Sequence, residues 1–337
     1  MDITYIIQQT IIYMIPLLIV ALGGVFAERS GIINLALDGE MIFGAFIGAI
    51  FCSLMTKGGY FDIQTTDAGL RLLANQGLFV LCMLVSMVSG FLLSLLLSFA
   101  AIKMKADQTI IGTALNNLAP AIVCAFGLLF FGNEKIRGNG NFVLIAQNYN
   151  PNFQKAVMEN PVLNFLFDKT YISTYIVIIL FVFLSIWLYK SKTGTHLRAC
   201  GENPHAADSV GINVGKMRLL GTSISGALAG LGGFVYIATA YGTTAESQVG
   251  GLGFLALAIM IFGNWNPFLI FLGALFFGFL KSLGILSSSI PFLSKLELPM
   301  YFYNIIPYFL VIVVLIIGHK KSGCPKAEGI PYDKGKR

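Results

Sequence analysis

Long apolar runs separated by short polar clusters recur along the whole chain. They lie near 6–27, 34–55, 78–100, 109–131, 172–189, 218–240, 252–264, 267–285 and 301–318. A helix rises about 1.5 Å per residue, so about 20 apolar residues cross a hydrocarbon core of ~30 Å. The pattern predicts an all-α fold, a polytopic transmembrane helical bundle of about nine spans. Run 252–264 is short for a crossing, and Asn264, Trp265, Asn266 and Pro267 tie it tightly to the next run. The two together predict a broken or re-entrant element within 252–285.

Composition agrees with this pattern. Of 337 residues 56% are hydrophobic and 11% charged, against about 25% charged in soluble domains. The first run lacks a basic flank and a small-residue cleavage site, and reads as the first span rather than a removable signal. Cys52, Cys82, Cys124, Cys200 and Cys324 show no ligand spacing and read as reduced structural residues. The net charge of +6 gathers at span ends and in the tail; topology accounts for it, and no nucleic-acid partner is expected. With 190–218 inside, Arg29, Lys103, Lys105, Lys190, Lys192, Arg198, Lys216, Arg218 and most basic residues of the tail share one side. The basic-inside bias then puts the N-terminus outside and the C-terminus in the cytosol. Residues 1–318 form a single membrane domain with a cytosolic loop at about 190–217, and 319–337 form a basic cytosolic tail expected to be disordered against anionic lipid. Outer loops near 56–77 and 132–171 are either solvated connectors or docking surfaces.

Candidate chemistry is sparse. The stretch from Gly211 to Met217 is one residue short of a phosphate-cradling loop and ends in Met217, where a magnesium-binding hydroxyl is needed. His196, His205 and His319 are far apart and lack i, i+4 metal-ligand partners, so a metal site is not expected, and no nucleophile elbow or Cys/His pairing points to catalysis. No cofactor is expected for this chain. If it pumps, its energy comes from a partner or an ion gradient.

One polar stretch has a clear local structure. Asn203 is a good N-cap, Pro204 suits the first helical position, and Gly211 can close the helix in the left-handed region. The helix has about two turns, too few to hold alone, so something must dock it. Ala206 and Ala207 offer a smooth contact surface; Glu202, His205 and Asp208 offer rim contacts; Arg198 can tie the loop to the span end. The other reading is an interfacial helix that caps the bundle.

The run R-A-x-G-E-N-P-x-A-A-x-x-x-G-I, carried by Arg198, Ala199, Gly201, Glu202, Asn203, Pro204, Ala206, Ala207, Gly211 and Ile212, resembles the coupling segment of bacterial ABC importer permeases of the branched-chain amino acid, ribose and nucleoside group. Three further blocks match in order: "SGIINLALDGEMIFGAFIGA", "SGALAGLGG" and "GLGFLALAIMIFGNWNP". Asp38, Ala36 and Leu252 depart from the family's usual Glu, Gly and Arg. The resemblance implies a permease of the bacterial cytoplasmic membrane working by alternating access. Its implied partners are a second permease subunit, a cytosolic ABC ATPase that binds the ATP, and an external substrate-binding lipoprotein. The implied cargo is a small polar solute, purine-type nucleosides first, then simple sugars or a riboflavin-type compound. An ion-coupled secondary transporter is the rival class.

Polar residues within spans are candidates for the substrate path, because a charge at a span's centre costs at least ~2.5–3.5 kcal/mol. Asn34 and Asp38, at i and i+4, are expected to share one face of the second span, away from Glu40. Thr113, Asn116 and Asn117 precede Pro120 and either bridge helices or meet substrate. Glu246, Ser247 and Gln248 form either an outer vestibule or an ordinary turn. Gly44, Gly48 and the "GALAGLGG" run suit close helix packing.

Overall fold

The computed structural model describes residues 3–61, 68–140, 142–144, 170–287, 300–317 and 323–335. Every apolar run lies on a helix. In chain order these are α1 (Ile3–Arg29), α2 (Leu37–Lys57), α3 (Ala68–Ser98), α4 (Gln108–Phe126), α5 (Ile172–Lys190), the short α6 (Lys192–Glu202) and α7 (Pro204–Ser209), then α8 (Val214–Ala240), α9 (Leu252–Phe262), α10 (Pro267–Ile285) and α11 (Met300–Ile317). Among the described residues, seven helices are long and apolar enough to cross a membrane, and α9, with 11 residues, is not. The third span starts ten residues earlier than its hydropathy suggests, at Ala68.

Helices α1 and α8 form the centre, and α8 packs on α1, α2 and α3. Glycines allow the approach: a Cβ added to Gly44 would lie 2.3 Å from the Gly230 Cα. This is the close backbone contact that small residues permit in membrane helices, where apolar side chains gain nothing by leaving lipid.

One end of the bundle, the loop face, gathers the end of α1, helices α6 and α7, the α9–α10 turn and residues 323–335. Helices that begin there carry polar caps: Asp107, Ser191, Asn203, Asn213 and Asn266 each accept a backbone N–H. At the other end β1 (Ile136–Arg137) pairs antiparallel with β2 (Thr244–Ala245), Ile136 opposite Ala245. Most of the predicted outer loop 132–171 lies outside the described residues.

The chain is unwound at two places inside the bundle. Residues 30–36 leave α1 and run inward before α2 begins, so Asn34 precedes the helix and does not share a helical face with Asp38. Residues 241–251 return from the strand end, and α9 completes that crossing. The break therefore lies before α9 and not at the Asn264–Pro267 link, which is a tight turn with Asn264 and Trp265 at φ 50° and 56°. Non-helical backbone at this depth is tolerated only where other groups satisfy it or where it lines a cavity. The tail, expected to be disordered, is instead ordered over 323–335.

Candidate functional site

Both unwound segments end at the same point. The N–H of Gly253, in the first turn of α9, donates to Asp38 Oδ1 at 2.8 Å. Asp38 is itself in the first turn of α2, so one carboxylate joins two helix N-termini, where positive partial charge favours an anion. The approach depends on Gly253, whose added Cβ would lie 2.3 Å from the Asp38 backbone nitrogen.

A cavity of about 490 Å3 opens beside this junction. Helix α2 contributes Asp38 and Ile42, α4 contributes Pro120, Ala121 and Cys124, and the segment 247–251 closes the wall. Gly250 and Gly251, at φ 67° and 71°, turn the chain into α9. Tyr308 of α11 donates its hydroxyl to the Gly250 carbonyl at 2.5 Å, fixing that turn from behind.

Other predicted polar residues serve the unwound backbone. Asn116 donates from Nδ2 to the Leu35 carbonyl at 2.6 Å and accepts from the Gly39 N–H at 2.7 Å. Asn34, fully buried, donates to Glu40 Oε2 at 3.0 Å and Ser225 Oγ at 2.9 Å, and accepts from the Ala36 N–H. Gln108, which sequence reasoning passed over, accepts from the Ile33 N–H at 2.7 Å. Of the outer trio, Ser247 and Gln248 line the cavity, while Glu246 pairs with Lys135 at 2.8 Å. Thr113 and Asn117 are exposed on α4, and Thr113 bonds back to the carbonyls of Thr109 and Ile110.

At the loop face the short helix forms as its sequence suggests. Asn203 Oδ1 accepts the Ala206 N–H at 3.0 Å, Pro204 occupies the first turn, and Gly211, at φ 85°, closes the helix while the Ile212 N–H bonds the Ala207 carbonyl. Arg198 donates to the Tyr189 carbonyl and lies over that ring, tying the loop to α5. Two expectations change. Ala207, 3% exposed, packs inward with Cys200 and Val214, which leaves His205, Ala206, Ser209 and Val210 on the outer ridge. The rim residues are engaged within the chain: Glu202 with Arg29 at 3.6 Å, Asp208 with Lys334 at 3.7 Å, and His205 against the Tyr332 ring.

The chain is thus a bundle of apolar helices with a broken crossing, an open cavity beside the break and a short polar helix at one face. The family described as branched-chain amino acid transport system / permease component matches residues 6–315. The chain belongs to this family. It is 38% identical to the guanosine ABC transporter permease protein NupQ of Bacillus subtilis, over 98% of this chain and 97% of the relative. It is 34% identical to the nucleoside ABC transporter permease protein NupC of Lactococcus lactis over the same shares, and 26% identical to NupB of that organism over 82% of this chain and 71% of the relative. No solved structure matches the chain.

This permease is thus a multi-pass membrane protein that works within an ABC transporter complex. Besides Gln108, sequence reasoning missed in it the cavity's apolar wall, Tyr308 behind the Gly250 turn, and the docked tail. The wall and Tyr308 leave no local signal, because apolar residues on α2 and α4 read alike whether they face lipid, protein or a cavity.

Proposed function

We propose that this permease subunit moves nucleosides, purine nucleosides foremost, into the cell by alternating access. The observation that carries the reading is the Asp38–Gly253 junction on the wall of the 490 Å3 cavity. That volume falls within the ~300–1,000 Å3 usual for small-molecule sites. Asp38, Ser247 and Gln248 suit ribose hydroxyls and base edges, and Ile42, Pro120 and Val249 suit a planar ring. The names of the relatives in B. subtilis and L. lactis support the substrate class.

The loop face is cytosolic in this reading, with α7 receiving the stroke of a separate ABC ATPase that binds the ATP. This chain adds no nucleotide site of its own. The second permease is a related but different chain, as the unequal similarity to two L. lactis permeases suggests. Thr113 and Asn117, polar and exposed on α4, face that subunit or the path between the two. An external binding lipoprotein delivers the solute, and the membrane is the bacterial cytoplasmic one.

The test is import of labelled guanosine by the assembled complex in proteoliposomes. Asp38→Asn keeps an acceptor for the Gly253 N–H but removes the charge. Import is expected to fall about 10- to 100-fold, the equivalent of ~1.5–3 kcal/mol for a hydrogen bond to a charged group, while the complex stays assembled. Wild-type import of guanosine by the variant overturns the role of Asp38; uptake driven by an ion gradient without the ATPase overturns the transporter class.

A further inference from the structure

Residues 323–335 touch every part of the loop face that the proposed cycle uses. Gly323 donates to Asn264 Oδ1 in the α9–α10 turn. Ala327 donates to the Gly201 carbonyl of α6 at 2.8 Å, and Gly329 to the Gly31 carbonyl, between α1 and α2, at 3.3 Å. Arg218 of α8 is 2% exposed and donates from Nη1 to the Ile330 carbonyl at 2.9 Å. Asp333 pairs with Lys105 at 2.8 Å and Lys334 with Asp208 of α7 at 3.7 Å, while the Tyr332 ring sits 5.2 Å from that of His205.

Helix α7 needs such support. Its six residues are too few to be stable alone, and its apolar anchor is the small cluster of Cys200, Ala207 and Val214, against which Tyr332 packs. The support does not hide the helix: Val210 stays 74% exposed and His205, Ala206 and Ser209 remain on the outer ridge. A segment that masked α7 from a partner would cover those residues.

The far end of the segment reaches a second rigid piece. The turn it holds at Asn264 is clamped by Trp265, whose Nε1 donates to Glu28 Oε2 at 2.6 Å and whose carbonyl accepts the Tyr189 hydroxyl. Helix α9 runs from that turn to Gly253, about 16 Å at 1.5 Å per residue. Contacts thus continue from α7 through residues 323–335 to the turn, along α9, and to Asp38.

We propose that residues 323–335 are a transmission strap: they hold α7 in register with the α9–α10 turn, so that a push on α7 shifts α9 and the Asp38–Gly253 junction as one body. The inference rests on the permease reading for the source of the push. Without the strap, α7 yields locally and the stroke is lost.

The test uses a chain ending at Gly329, assembled in the complete complex. Nucleosides imported per ATP hydrolysed are expected to fall about tenfold, within the range of ordinary coupling free energies, while hydrolysis persists; amide exchange across 204–212 is expected to accelerate. Unchanged coupling, unchanged exchange, or faster import overturns the proposal. Where the shortened chain does not assemble, Asp333→Lys takes its place: it is expected to loosen α7 and lower the coupling, and the Lys105→Asp, Asp333→Lys double variant to restore both. A double variant that restores neither, or a single variant without effect, overturns the proposal. If the wild-type complex imports no nucleoside, the permease reading has failed, and amide exchange in the purified chain still decides whether the strap holds α7.

Discussion

Asp38 does two tasks with one side chain. Its Oδ1 caps α9 across the bundle through the Gly253 N–H, and the residue still lines the cavity. Gly253 is as necessary as Asp38 for this contact, because any Cβ there collides with the α2 backbone. Gly253→Ala is expected to cost ~1–3 kcal/mol in forced packing and to abolish import. Gly215→Ala, where the nearest atom to an added Cβ is 3.6 Å away, is expected to transport normally in the same assay. Asp38 could be picked out in the sequence because polar groups are expensive in an apolar run, whereas Ser247 and Gln248, between two runs, read as either a vestibule or a turn. The partner of Asp38 could not, since a backbone N–H carries no side-chain signal. The same limit applied to Asn34 and Asn116, visible as intramembrane amides but not as the groups that satisfy backbone of the unwound 30–36 segment and the first turn of α2.

Helix α7 and the strap show the same contrast at the next scale. Capping is local chemistry, so Asn203, Pro204 and Gly211 announced α7 and its limits from three positions. The strap is punctuated by Gly and Pro and belongs to a tail that is basic as a whole, which is how a disordered tail also reads; its order comes from carbonyls and charges on six other segments. One of its carboxyls is expected to make the docking sensitive to pH. Burial raises Glu328 above the usual carboxylate range, against the pull of the Cys324 thiol, of Arg29 and of Glu28. A carboxyl raised in the docked state binds its proton more tightly there than when undocked. Its contribution is complete below the undocked pKa and is lost as pH rises through the docked one. Amide exchange at Ala327, corrected for the intrinsic rate, is expected to quicken as pH rises through that range, and Glu328→Gln to remove this step.

For the whole molecule, orientation is the outstanding prediction. With the loop face in the cytosol, Ala206→Cys on the exposed ridge of α7 is expected to react with a membrane-impermeant maleimide in inside-out vesicles and not in intact cells. Labelling of intact cells would reverse the bundle and separate α7 from any cytosolic motor.

The sequence by itself determined the nine apolar runs and the short ninth helix through hydropathy, α7 through its caps, and the family motifs through residue identity, because each of these depends on neighbours within about 20 residues of chain. Which helix packs inside the bundle was decided only by tertiary structure. Windows in α1 and α5 have equal hydropathy, yet 89% of the first and 22% of the second is buried. In a soluble protein burial and hydrophobicity go together. Here lipid and protein interior are equally apolar, so glycine contacts and hydrogen bonds between distant segments sort the helices. For the same reason the cavity, the Asp38–Gly253 junction and the docked strap came into view only with the folded chain.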